Sequence, residues 1–341
     1  MSCLYIGEFP PPMGGVTVKN ALIRDQIYKD SDVQFFDLYS CKKNPLNLVK
    51  LFFEILTTTG NIVLGLGSNP RLEKLLQIIV FLRKKSVLNR CSVIMMGSTL
   101  QKYSHSHPKM REYLNGVRWI YTESELINQE FSMQGIEQTA FFPNCRMLPK
   151  ENYAGKALDG EQLHMVFFSK ICKEKGAHYL FEVVEKLNAM KIPVALDYYG
   201  VIGSEYEAEF KAAIESHENI QYKGVFDSSK DDVYKKLNEY DLLVFPTTWK
   251  GEGVAGILVE SKFAGIPSIV TDYNYNGEVV INEEEGIVVS SENIVDEFVE
   301  SICRLQRDPV EFERLAKGAY QSKDRYNIEN YRLALMKAIK E

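Results

Sequence analysis

Strand-like and helix-like stretches alternate along almost the whole of this 341-residue chain, and that alternation restricts the fold more than any other feature. Short β-branched runs separated by helical stretches imply βαβ units and parallel sheets. In the first half, Cys3–Gly7, Val33–Asp37, Asn61–Leu66, Ser92–Met96 and Arg118–Tyr121 read as strands, with helices beginning near Thr17, Leu46, Arg71 and Ser124. In the second half, His164–Ser169, Ala195–Gly200, Ile220–Lys223, Leu242–Phe245, Ser268–Val270 and Gly286–Val289 read as strands. Helices His178–Met190, Tyr206–Ser216 and Asp231–Glu239 lie between them. The polar segment Pro149–Glu161 has linker composition. The pattern predicts two doubly wound, Rossmann-like α/β domains, 1–155 and 161–321, with a cleft between them. A final helical run over about 322–341 is long enough to pack back on the first domain.

Composition excludes several classes. The chain is 45% apolar and 25% charged, as expected of a globular protein. Its longest strongly apolar run, Ile78–Leu82 with Leu75 and Leu76 just before, is far short of the roughly 20 residues that span a bilayer. The start, MSCLYIGEFPPP, has no basic n-region, so no signal peptide is expected. Six scattered cysteines without a C-x-x-C pair fit reduced thiols in a cytoplasm. Charge is unevenly divided: residues 1–150 carry 18 Lys+Arg against 12 Asp+Glu, whereas the remainder is acidic, with 22 against 34. The basic half fits an anionic surface or acceptor as well as ordinary variation. A net charge of −6 gives no reason to expect a nucleic-acid partner.

The densest chemistry lies in Trp249–Ser268, WKGEGVAGILVESKFAGIPS. Glu252 sits on the loop leaving a predicted strand, and Glu260 lies about two turns along the next helix. In open α/β sheets, ligands bind outside the carboxyl ends of strands. Backbone N–H groups at a helix start favour anionic or hydroxyl-rich ligands. Two further segments follow strands. In Gly7–Asn20, GEFPPPMGGVTVKN, Gly14 and Gly15 let the backbone approach a ligand, but the loop matches neither G-x-G-x-x-G nor a Walker A motif. In SKICKEKG, Lys170 and Lys175 place two ammonium groups near a helix start, where they suit a diphosphate. Alone, that cluster reads as a solvated turn; its position beside the glutamate site reverses that preference.

EGVAGILVE followed by AGIPSIV resembles the Glu-x7-Glu signature of the retaining glycosyltransferases of family 4, which have the two-domain GT-B fold. GEFPPPMGGV is similar to their glycine-rich acceptor-side loop, FFPNC (Phe141–Cys145) to their Pro-Asn element, and SKICKEKG to their diphosphate-holding segment. The resemblance implies that Glu260 accepts from ribose hydroxyls and Glu252 from the transferred sugar. It implies that the backbone of Gly253, Val254, Ala255 and Gly256 faces the donor, that Lys170 and Lys175 hold the diphosphate, and that Gly14 and Gly15 lie near it. Where the family often carries a histidine, MMGSTL places Gly97 and Ser98, so these two and Asn144 become pocket candidates. Arginine is usual where Lys170 stands; lysine keeps the charge but loses bidentate geometry.

The implied activity moves a sugar from a nucleotide-diphosphate sugar to a lipid-linked or oligosaccharide acceptor in cell-surface polysaccharide synthesis, with no metal and no cofactor. The alternatives are a nucleotide-sugar epimerase, a phosphorylase or a non-catalytic GT-B subunit. Asp30-Ser31-Asp32 and His105-Ser106-His107 have the residue types of metal sites but read as a solvated turn and a surface or acceptor loop. Arg71–Arg90, an apolar helix with a basic end, is either a core helix or a peripheral contact with an anionic membrane on its cytoplasmic face.

Overall fold

The computed structural model describes residues 3–12, 14–158, 162–228 and 230–340. These form two compact units, Met1–Met147 with Asn327–Glu341, and Leu148–Tyr326.

In the first unit, strands β1 (Cys3–Gly7), β2 (Val33–Asp37), β3 (Ile62–Gly65), β4 (Cys91–Ile94), β5 (Trp119–Thr122) and β6 (Thr139–Phe141) make one parallel sheet in the order β2-β1-β3-β4-β5-β6. β6, only three residues long, has no counterpart among the predicted strands. Residues of β1, β3 and β4 are buried throughout, which is why these strands read as continuous apolar runs rather than alternating ones. The end of the chain completes this unit. Ile328, Leu335 and Ala338 join its core, and Tyr28 and Tyr121 donate to the carbonyls of Leu335 and Ala334. That segment is not one helix. Two short 3-10 turns precede the Arg332–Ile339 helix, and Asn327 breaks the run by accepting from the Glu329 N–H at 3.1 Å.

In the second unit, β7 (Leu163–Phe168), β8 (Val194–Tyr199), β9 (Ile220–Tyr222), β10 (Leu242–Phe245), β11 (Ser268–Thr271) and β12 (Gly286–Val289) form a parallel sheet ordered β12-β11-β10-β7-β8-β9. Successive strands first extend to one side of β7, then return to its other side with β10. Chain direction therefore switches between β7 and β10, opening a crevice at their carboxyl ends. The equivalent point in the first unit lies between β1 and β3. Each fully buried Leu, Ile, Val or Phe of these cores contributes roughly 1.5–3 kcal/mol, so both crevices rest on rigid frames.

Candidate active site

The residues after β7 and β10 meet at the second unit's switch point. Gly176 makes the first turn possible: at φ 76° it is left-handed, and a side chain there would run into the Pro246 carbonyl. With that turn made, the loops are stitched by the Thr248 N–H donating to the Glu174 carbonyl at 2.9 Å. Lys175 is thereby buried against the β10 loop, where its ammonium forms an ion pair and hydrogen bond with Glu252 Oε2. Thr247 Oγ1 donates to the same oxygen at 3.3 Å. Two aromatic faces complete the enclosure, Trp249 with its ring centre 4.6 Å from the ammonium and Phe245 at 5.5 Å.

Glu252 is held from below. Its N–H closes a turn on the Trp249 carbonyl at 2.9 Å, and the Asn274 amide donates to the carbonyls of Trp249 and Glu252 at 3.1 and 3.3 Å. Asn274 is itself left-handed, at φ 50°, a conformation asparagine tolerates better than most residues. After the loop, the helix Gly256–Ala264 begins with no side-chain cap. Glu260, half-buried, therefore lies little more than one turn from the helix start, closer than the two turns read from the sequence. Val254 and Ala255 are buried, and Gly253 and Gly256 are partly exposed. Behind this helix, buried Lys262 donates to Glu285 Oε2 at 2.6 Å, and Arg325 pairs with the other oxygen. Burial pushes the Lys262 ammonium down to about 8. The cluster fastens the helix carrying Glu260 to the turn Lys323–Tyr326.

The structure thus joins Lys175 and Glu252, which sequence reading had assigned to separate ligand groups. Lys170 is different: its exposed ammonium lies 3.7 Å from Glu205. In the first unit, Gly14 precedes and Gly15 opens the helix Gly15–Leu22, and a side chain at either would meet open space, so packing does not require glycine there. Gly97 and Ser98 follow β4; Gly97 is left-handed at φ 142°, and Ser98 is buried. Asn144 follows β6, its Oδ1 accepting from Arg146 at 2.8 Å.

Sequence reading missed a polar cluster at the first unit's switch point. Buried Glu8 receives Arg71 at 2.5 Å, and buried Asn20 donates to the Glu8 and Gly65 carbonyls while accepting from Tyr5. Beside it, buried Lys19 reaches Glu123 at 2.5 Å and the Met95 carbonyl at 3.0 Å. A polar Lys-Asn pair at buried positions just inside a helix was the available signal. His107 stacks on Tyr103, with ring centres 3.7 Å apart. Among the described residues, no group of three or more His, Cys, Asp or Glu could hold a metal ion. The Asn69–Arg83 helix buries Leu72, Leu75, Leu76 and Ile79 and is a core helix, with Phe81 left outside.

Two parallel sheets, each with its switch point, are the architecture of the GT-B class. HepE from Anabaena, solved in complex with UDP, superposes with a TM-score of 0.76 over 99% of each chain at 12% identity. The lipopolysaccharide outer core galactosyltransferase WaaB in its apo form gives 0.73 over 99% of each chain at 14% identity. Residues 150–322 match the family model of glycosyl transferases group 1, and the chain belongs to that family of glycosyltransferases. Among curated relatives, an uncharacterized 41.2 kDa protein in the cps region of Klebsiella pneumoniae is 26% identical over 50% of this chain and 42% of its own length. The Escherichia coli UDP-Gal:alpha-D-GlcNAc-diphosphoundecaprenol alpha-1,3-galactosyltransferase is 31% identical over 24% of this chain. The chain spans 42% of the first relative and 20% of the second.

Proposed function

We propose that this chain is a retaining glycosyltransferase of the family 4 type, transferring a sugar from a nucleotide-diphosphate sugar to a lipid-linked or oligosaccharide acceptor in bacterial surface-polysaccharide synthesis at the cytoplasmic face of the membrane. The observation that carries this reading is the buried Lys175–Glu252 pair at the second unit's switch point, with Glu260 on the helix that follows. The family model covers that same unit, and the two curated relatives supply the surface-polysaccharide and lipid-linked context.

In this reading Glu260 accepts from the ribose hydroxyls. Glu252 accepts from the transferred sugar, while Lys175 turns from Glu252 toward the departing diphosphate. The ion pair keeps both groups placed until the donor divides them. Lys170 and the uncapped helix start add positive potential where negative charge develops. The backbone from Gly253 to Gly256 borders the donor, and the donor phosphate assists deprotonation of the acceptor hydroxyl on the same face of the sugar. Cations of the chain meet this charge without calling on a metal.

The test is transfer from a panel of nucleotide sugars to a lipid-linked saccharide acceptor, with the anomeric configuration read by NMR and a parallel reaction in EDTA. A product retaining the donor's configuration, formed equally in EDTA, supports the reading. An inverted product, or donor conversion without an acceptor, overturns it.

A further inference from the structure

The first unit carries a surface that the transferase chemistry does not use. The helix Leu46–Thr57 turns Leu51, Glu54 and Ile55 inward, yet Leu46, Val49 and Phe53 are 72%, 66% and 65% exposed. Positions 46, 49, 53 and 56 recur at helical spacing, so these side chains and Leu56 form one outward ridge, flanked by exposed Leu48 and Phe52. A contiguous apolar ridge of this kind marks a surface that something covers.

Charge around the ridge indicates what covers it. Lys42 and Lys43 precede the helix and Lys50 stands at its edge, all exposed. From Tyr39 to Gly60 the single acidic residue is Glu54, and its buried carboxylate accepts from Gln34 at 2.8 Å. Lys50 also lies 3.6 Å from the Glu54 carboxylate, which leaves Lys42 and Lys43 as the cations beside the ridge that no carboxylate of this segment answers. The ridge is also rigidly presented: Arg83 donates to the carbonyls of Ile55, Leu56 and Thr58 at 3.1, 2.7 and 2.9 Å. Exposed Phe81 and Lys84 lie at the end of the helix that supplies this clamp.

We propose that the Leu46–Thr57 helix lies in the surface of an anionic lipid bilayer, its apolar ridge in the acyl boundary and Lys42 and Lys43 on the headgroups. A second copy packed ridge to ridge about a two-fold axis would set one cationic rim against an identical one. A bilayer rich in anionic lipid satisfies both the ridge and the rim. Of the two sequence readings of Arg71–Arg90, the Asn69–Arg83 helix follows the core-helix one, and its Arg83 supports the ridge.

The test is sedimentation of the full chain with vesicles of phosphatidylcholine alone and of phosphatidylcholine mixed with phosphatidylglycerol. The chain binds the mixed vesicles, and added salt weakens the binding. The V49S/F53S variant loses at least about tenfold in partition, because two large apolar side chains leave the interface. The K42E/K43E variant loses the preference for phosphatidylglycerol. Leu333→Ser, at an exposed apolar site elsewhere in the unit, binds as the parent chain does. The side chains changed in the ridge and rim variants point outward, and unchanged melting curves verify their folding. Absent binding, or V49S/F53S binding like the parent, overturns the proposal. So does a dimer in sedimentation velocity that V49S/F53S dissolves, since a second copy would then be the occupant. Partition is scored without turnover, so its failure leaves the transferase reading standing, and the reverse holds.

Discussion

Lys175→Met and Glu252→Gln, singly and together, test whether the buried pair is an interdependent unit. Both side chains are more than nine-tenths buried. Removing one partner leaves the other short of its counter-charge, which costs about 3 kcal/mol or more. The residual contacts are unequal: Glu252 keeps one hydrogen bond, from Thr247, whereas Lys175 keeps the Trp249 and Phe245 faces, worth about 1 kcal/mol. Lys175→Met is therefore the more damaging change. In a unit the size of Leu148–Tyr326, a loss of about 3 kcal/mol lowers its melting temperature by about 6–12 °C. The double variant removes both charges and recovers about 2 kcal/mol of the summed losses. Calorimetric melting of the four proteins gives the cycle directly. Singles melting with the parent, or a double variant as unstable as the summed singles, would refute the reasoning. Binding separates the two roles: Glu252→Gln releases Lys175 and so keeps nucleoside diphosphate affinity, whereas Lys175→Met loses about tenfold or more.

Three further outcomes follow from the geometry. Gly176→Ala, whose new carbon would meet the Pro246 carbonyl at a left-handed φ, destabilises the second unit by about 2 kcal/mol or more in urea titration. Asn274→Gly keeps the backbone conformation but loses both donors to the Glu252 loop; turnover falls about tenfold while the melting temperature moves little, and recovery by Asn274→Asp would contradict the donor role. Burial holds the thiols of Cys3, Cys91 and Cys145 up at about 12, against 9.0 when unburied. Between those limits the folded first unit keeps protons that the unfolded chain releases, so stability present below pH 9 is lost as pH rises, by about 1.4 kcal/mol per thiol per unit. Hydrogen exchange of first-unit amides from pH 8 to 10, corrected for intrinsic rates, checks it; pH-independent protection would contradict it.

Most strands were legible because buried parallel strands leave continuous apolar runs, and β2, β10 and β12 begin and end where the sequence placed them. β6 escaped because three half-buried residues carry too short a pattern. The broken C-terminal run escaped because helical periodicity is blind to a cap such as Asn327 inside it. At the site, Glu252 and Glu260 stood out because seven intervening residues link them across a loop and a helix. The pairing of Lys175 with Glu252 joins residues 77 apart, and that of Lys19 with Glu123 residues 104 apart. Only strand order brings such residues together. The exposed ridge of Leu46–Thr57 was hidden for a related reason: the sequence shows an apolar helix but not which side has neighbours.

Direct binding of nucleoside diphosphates, measured by calorimetry on the parent chain and on Glu260→Ala, tests the central claim most closely. The account predicts that one diphosphate nucleoside of a panel binds the parent chain. Glu260→Ala then weakens that ligand by about 10–100-fold, as expected for lost hydrogen bonds to a carboxylate. A panel that binds nowhere, or a bound nucleotide indifferent to Glu260, would contradict it.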